Sequence, residues 1–432
     1  MTRQVWLSFH PIDLAPGTHA GTIEVRDGAG LKAAIPIRLR IYPLRFPDQT
    51  TMLMGGWSYT NEGERYDITP QNRLAVIAHL QEGFVNSPWA TKLALDDGTY
   101  NAAGELTNPP DTTSFDQWVA LWPDAERYMV FARVNESFAG STVGTQLFSI
   151  KVGNWARFWA DHMRQLGFSA SQLGILLVDE PSTREQYNRI TAWTNAIKAA
   201  EPELIIWEDP LPRSNSNSLQ TMMASVDVLC IARGMYVTEP QWYRDLFLEQ
   251  QERGRELCFY NSGGPIRRWD PFSYYLLQAW HSFGIGAKGS AFWAFGDNGG
   301  VSSWNEYPFT GRLAYSPLYL DDTSVTTSKH MEAIREGIED YEYLTMLRAH
   351  VAELEDQGAE AELAVAQELL VTAADRVLIA EKGANWLWDA EKDRSLADQV
   401  RVEILKVLTS PIAEVTQSTC GRRLQCLAQS AH

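Results

Sequence analysis

The sequence predicts an α/β chain built on a (β/α)8 TIM-type barrel, with a partial N-terminal β-sandwich hairpin and a C-terminal helical extension. Three observations carry this. Apolar runs without polar alternation recur at spacings of roughly thirty residues, helical patterns lie between them, and eight such runs fit within roughly 245 residues. Unalternating strands are buried on both faces, which requires a parallel sheet covered by helices.

Taken in order, residues 1–45 read as strands. "HAGTIEVRDG" and "LKAAIPIRLRIYPL" alternate apolar and polar positions about an Asp-Gly-Ala-Gly turn, a hairpin pattern. A segment this short cannot close a β-sandwich. It reads as the last hairpin of one, completed by packing on the main domain or truncated upstream, with "RFPDQTT" as the linker. Barrel strands are then expected at 52–56, 83–87, 128–134, 173–178, 204–207, 226–232, 257–260 and 290–295, and helices at 184–200, 217–224, 239–253 and 271–284. The polar stretch 88–112 is too long for an ordinary connection and reads as an active-site loop. Beyond residue 322 the strands stop. Apolar residues at 331, 334, 338, 341, 344 and 347 form a helical stripe, helices follow at 356–382 and 391–408, and the tail is expected to be disordered. The expected domains are therefore 1–48, 49–322, 323–410 and 411–432.

Composition narrows the chemistry. The 432 residues are 45% hydrophobic and 21% charged, an ordinary globular balance. A formal net charge of −17 argues against nucleic acid and anionic membrane as partners, since both demand a basic footprint. No run of about 18 apolar residues exists to span a bilayer. "MTRQVWLSFHPIDL" lacks the apolar core of a secretion signal, which fits either a cytoplasmic protein or a secreted one truncated at its N-terminus. Eight scattered histidines show no metal-binding spacing, so neither a metal nor another cofactor is expected. Cys230 and Cys258 lie in apolar runs and read as buried thiols; Cys420 and Cys426 lie in a basic tail, and their pairing is left open. Sixteen Trp and sixteen Tyr exceed what a core requires, and exposed rings that stack on sugar faces are one use for the excess. The plainer alternative is that a large barrel buries many aromatics.

In a barrel of this kind the catalytic groups come from the C-terminal strand ends. Strand 1 offers Trp57 and Tyr59, strand 3 Arg133 and Asn135, strand 4 Asp179 and Glu180, and strand 5 Glu208 and Asp209. Strand 6 offers Arg233 and Tyr236, strand 7 Asn261, and strand 8 Trp293, Asp297 and Asn298. Carboxylates, amides and aromatics without metal ligands suggest glycoside hydrolysis and a carbohydrate partner. Strand 7 ends in "CFYNSGG", with no acid opposite the strand 4 pair. The nucleophile must then be a water held by another acid, or the substrate's own 2-acetamido oxygen. Adjacent acids suit the second route, because mutual repulsion keeps one of them protonated near neutral pH.

"LLVDEP", "AFWAFGDN" and "HMEAIREGIEDYEYLTML" together resemble glycoside hydrolase family 123, the β-N-acetylgalactosaminidases, and the wider set of proteins sharing their catalytic domain. The resemblance covers roughly residues 15–350. It implies a β-sandwich joined to a (β/α)8 barrel and substrate-assisted, retaining hydrolysis, with Asp179 matching the acid that orients the acetamido group and Glu180 the general acid/base. Most of the sandwich is missing here.

Each candidate has a plainer role. Asp179 and Glu180 can be acids that cap the next helix, since "DEPST" suits a helix start. Glu208 and Asp209 read either as sugar ligands or as a solvated loop, and Tyr260 as a site group or as packing. Trp293 and Trp304 flank the Gly-rich "GDNGGVSSW" and fit a sugar-stacking wall. Arg335 and Glu339 have the spacing of an ordinary helical ion pair, so the acids around them read as structural. Two rivals stand beside the leading reading. One is an inverting glycosidase in which Glu208 or Asp297 activates water; the other is a carbohydrate-binding barrel without activity.

Overall fold

The computed structural model describes residues 7, 9, 14–61, 67–264, 266–296, 317–379, 381 and 385–410. Eight parallel strands close a barrel: β1 (Leu53–Tyr59), β2 (Ser87–Thr91), β3 (Tyr128–Phe131), β4 (Leu173–Leu176), β5 (Ile205–Glu208), β6 (Val228–Ala232), β7 (Glu256–Asn261) and β8 (Gly289–Phe292). Each pairs with its sequence neighbours, and β8 pairs back onto β1 with Gly289 opposite Leu53. Helices intervene, among them Gln146–Gln165 after β3 and Arg184–Ala200 after β4, as expected for a right-handed βα repeat.

The second strand differs from expectation. Residues 83–87 do not begin it; Gly83 and Phe84 close the preceding helix, with Phe84 at φ 64°, and the strand is "SPWAT". Pro88 masked it, because proline lacks the N–H of a regular ladder. The polar stretch after it begins at Lys92 and carries a small hairpin, Thr99–Tyr100 with Leu106–Asn108, beyond the C-terminal end of β2. Two glycines let β1 fit. A Cβ on Gly55 would lie 2.3 Å from the Ser87 carbonyl, and one on Gly56 would lie 2.1 Å from that of Phe292.

Side chains alternate between the barrel interior and the helix layer. The interior holds Trp57, Trp89, Met129, Leu176, Trp207, Cys230, Cys258 and Tyr260. Arg127 and Glu256, at the starts of β3 and β7, form an ion pair at the N-terminal end. The long helix Lys329–Gln357 buries the expected stripe: Met331, Ile334, Ile338, Tyr341, Leu344 and Leu347. Its Glu342 accepts from the backbone N–H groups of Thr51 and Met52 at the entry to β1, and Arg335 pairs with Glu339 as its spacing implied.

The described residues gather into two compact units: one within 46–345 and 372–401, the other of residues 14–45, 346–371 and 402–410. In the second, Gly17–Asp27 and Gly30–Ile41 form the antiparallel hairpin predicted, turning where the Asp27 carboxylate accepts from the Ala29 N–H. No described helix is long and apolar enough to cross a membrane. Residues 411–432, with Cys420 and Cys426, lie outside the described residues.

Candidate active site

β4 leads directly into Asp179 and Glu180 at the C-terminal mouth of the barrel. They do not cap the following helix. That task falls to Thr183, whose side chain accepts from the Gln186 N–H while Gln186 reaches back to the Thr183 N–H. Glu180 sits at φ 46°, a left-handed conformation a non-glycine residue holds only when its surroundings fix it. Two contacts do so. The Glu180 N–H donates to Asp209 Oδ1 at 2.9 Å, and the Tyr260 hydroxyl donates to Glu180 Oε1 at 2.7 Å.

Tyr260 is itself locked. Trp57 stands 5.4 Å from it centroid to centroid, stacks on Trp89 at 4.8 Å and meets Trp207 edge-on. These rings form a rigid aromatic floor under the Glu180 carboxylate. Burial and nearby acids push the Tyr260 phenol well above its usual range, so it remains a donor.

Asp179 opens towards solvent by surface area, yet the strand ends wall it closely enough to penalise its charge. That enclosure, followed by repulsion from Glu180, lifts its carboxyl to about 6, while a hydrogen bond with Asp209 works in the opposite direction. Glu208 and Asp209 are fully buried, and burial raises both well above the ordinary carboxyl range.

Several predicted site residues lie elsewhere, and strand alternation explains most of them. Trp207 points inward, so Glu208 points outward, where its carboxylate accepts from the Leu177 N–H at 3.0 Å and braces the end of β4. It is fully buried. Asp209, one step on, comes beside Asp179 and Glu180, where it accepts from the Glu180 N–H. Arg233 likewise points outward, fully buried, pairing with Glu381 at 2.6 Å and donating to the Ser273 and Tyr274 carbonyls. Burial alone would raise Glu381, but Arg233 and His281 hold it down at about 2. Tyr236 packs edge-on against Phe259 on that same outer side of the strands. The Asn261 amide donates to Gln278 at 2.8 Å. Tyr59, at 2% exposure, is packing within the interior, and Trp57, at 4%, supports Tyr260 rather than offering a free face.

Arg133 and Trp293 stay at the mouth. Arg133 is exposed at φ 47° just past β3, where the Val134 N–H donates to the Leu177 carbonyl beside the acids. It lines a cavity of about 140 Å³ with Asn135, Phe138, Trp155 and Trp193. Trp293 follows β8, half-buried against the interior cluster. Asp297, Asn298 and Trp304 lie outside the described residues. Among those described, no grouping of His, Cys, Asp and Glu has the arrangement of a metal site. Tyr260 and Asp209 are the residues the sequence inventory underrated; both sit on the inner parity of strands whose outer neighbours drew attention.

No family model matches the chain, and no curated protein matches it in sequence. Solved structures do. A family 123 glycoside hydrolase from Clostridium perfringens superposes with a TM-score of 0.61 over 92% of this chain and 76% of that one, at 14% identity. The fold is that of a family 123 glycoside hydrolase. An endo-β-1,4-mannanase from Thermotoga petrophila matches more loosely, with a TM-score of 0.42 at 11% identity over 68% of this chain and 77% of that one.

Proposed function

We propose that the chain is a glycoside hydrolase that releases terminal β-linked N-acetylhexosamine, N-acetylgalactosamine foremost, by substrate-assisted retaining catalysis. One observation carries the reading: two adjacent acids at the barrel mouth are held differently, Glu180 by a phenol and a strained backbone, Asp179 with a raised carboxyl. Enclosure and the neighbouring Glu180 charge together raise Asp179, so the two acids are electrostatically distinct although adjacent in sequence. The inner face of β7 presents Tyr260, not a carboxylate, opposite them.

In the first step the acetamido oxygen attacks the anomeric carbon as the glycosidic C–O bond breaks, and Glu180 delivers its proton to the departing oxygen. Asp179 accepts the acetamido N–H and offsets the positive charge that develops on the cyclic intermediate. In the second step Glu180 takes a proton from water, whose oxygen opens the ring at the same carbon and restores the configuration. In this reading Arg133 and Trp293, which follow β3 and β8 at the same end of the barrel, serve as surfaces for sugar and leaving group. The related fold of an enzyme studied for glycolipid glycan hydrolysis supports the substrate class. The inverting alternative loses Glu208 as its base, because that carboxyl is sealed against the β4 backbone.

A panel of 4-nitrophenyl glycosides with a thiazoline analogue of N-acetylgalactosamine tests the proposal. Turnover of the N-acetyl-β-galactosaminide with tight thiazoline inhibition is the expected result, since a mimic of the cyclic intermediate binds more tightly than substrate. Brisk hydrolysis of the plain galactoside and indifference to the thiazoline would contradict it. Binding without turnover of any glycoside would mark a carbohydrate-binding barrel.

A further inference from the structure

Asp209 has no role in the steps above, yet it is as fully buried as Glu208 and lies against both Asp179 and Glu180. Its side chain is fully enclosed. Around it stand the carboxyls of Asp179, Glu180 and Glu208, the phenols of Tyr243 and Tyr260, and the Cys230 thiol. A carboxylate there would be desolvated and repelled by every acid near it. Oδ1 accepts from the Glu180 N–H at 2.9 Å, while Oδ2 is buried and has no hydrogen-bond partner among the groups with fixed donors. What lies within hydrogen-bonding reach of the Asp209 carboxyl is that of Asp179. Two carboxyl groups can bond to each other only if one of them carries a hydrogen. Asp209, the fully enclosed one, is the natural carrier, and Asp179, open on one side to water and substrate, the natural acceptor.

We propose that Asp209 is a positioning residue that works as a neutral acid: one oxygen anchors the Glu180 backbone while the other donates a hydrogen bond that aims the Asp179 carboxylate. Its use in catalysis rests on the proposed glycosidase reading, whereas the bond itself is a property of the folded protein. A neutral donor satisfies both acids at once. It fixes the strained backbone of Glu180 and leaves one Asp179 oxygen free for an incoming N–H. An ionised Asp209 would do the opposite, driving Asp179 away from the site.

The test is a carbon-13 NMR titration of Asp179 in the wild type, D209N and D209A, with kinetics on the aryl N-acetyl-β-galactosaminide alongside. D209N keeps an acceptor for the Glu180 N–H and presents an amide N–H where the acid had O–H. Its Asp179 should titrate close to the midpoint measured for the wild type, and kcat should stay within about threefold, the loss tolerated when one hydrogen-bond donor replaces another. D209A removes both bonds, so Asp179 should titrate about one pH unit higher and kcat should fall about 10–100-fold with KM little changed. A midpoint that drops by about one pH unit or more in D209N would show that Asp209 is ionised and overturn the proposal. So would a D209A titration identical to the wild type's. If the wild type hydrolyses no N-acetylhexosaminide, the glycosidase reading fails while the titration still decides where the proton resides.

Discussion

The hydroxyl of Tyr260 and the carboxylate of Glu180 form the contact on which the proposed acid/base role most depends. Tyr260→Phe removes a donor to a charged group while leaving the ring in its aromatic seat, so turnover should fall about 10–100-fold with little loss of stability. Glu180→Gln should act selectively. A poor alkyl leaving group needs its proton and should slow by at least about 100-fold, while an activated aryl glycoside should slow far less. Equal losses on both substrates would remove Glu180 from the acid's role. Asp179, lifted to about 6, must shed its proton to receive the acetamido N–H. The kcat/KM profile of the free enzyme should therefore decline below about pH 6, and this acid limb should be absent in Asp179→Asn.

Among the elements, the strands teach the clearest lesson about what a sequence discloses. Seven of eight lay close to where their apolar runs placed them, because a buried parallel strand leaves a strong local signal; "SPWAT" did not, because proline and serine hid it. The strand ends were legible as a group but not one by one. Alternation puts Tyr260 and Asp209 inside and Asn261, Arg233 and Glu208 outside. A chemical inventory that ignores this period of two favours the wrong neighbour. The Arg233–Glu381 ion pair and the Gln278 partner of Asn261 join segments distant in sequence, which no local pattern announces. Arg233→Met should thus destabilise the fold by about 3–5 kcal/mol, since it strands a buried carboxylate, and should leave the folded enzyme's KM unchanged. Chemical denaturation with parallel kinetics separates the two effects.

Across the whole molecule, folding raises three acids gathered at one end of the barrel. Asp179, Glu208 and Asp209 all have carboxyls raised by folding. The native state therefore holds protons that the unfolded chain has already released, and stability falls as pH rises through that window. For Asp179 the window runs from its ordinary 3.8 up to about 6, and the two buried acids extend the loss above it. Melting temperature should decline on raising the pH through this range, and Glu208→Gln should flatten the decline. Such a cost, concentrated at one end of the barrel, is consistent with a site shaped for function rather than for stability. The central claim is that the substrate's acetamido oxygen is the nucleophile. It is tested most directly by measuring kcat/KM on aryl N-acetyl-β-galactosaminides whose acetyl methyl carries no, one, two or three fluorines. Each fluorine makes the amide oxygen less nucleophilic, so the account predicts a steep, progressive fall from the first substrate to the last. A flat series would contradict it.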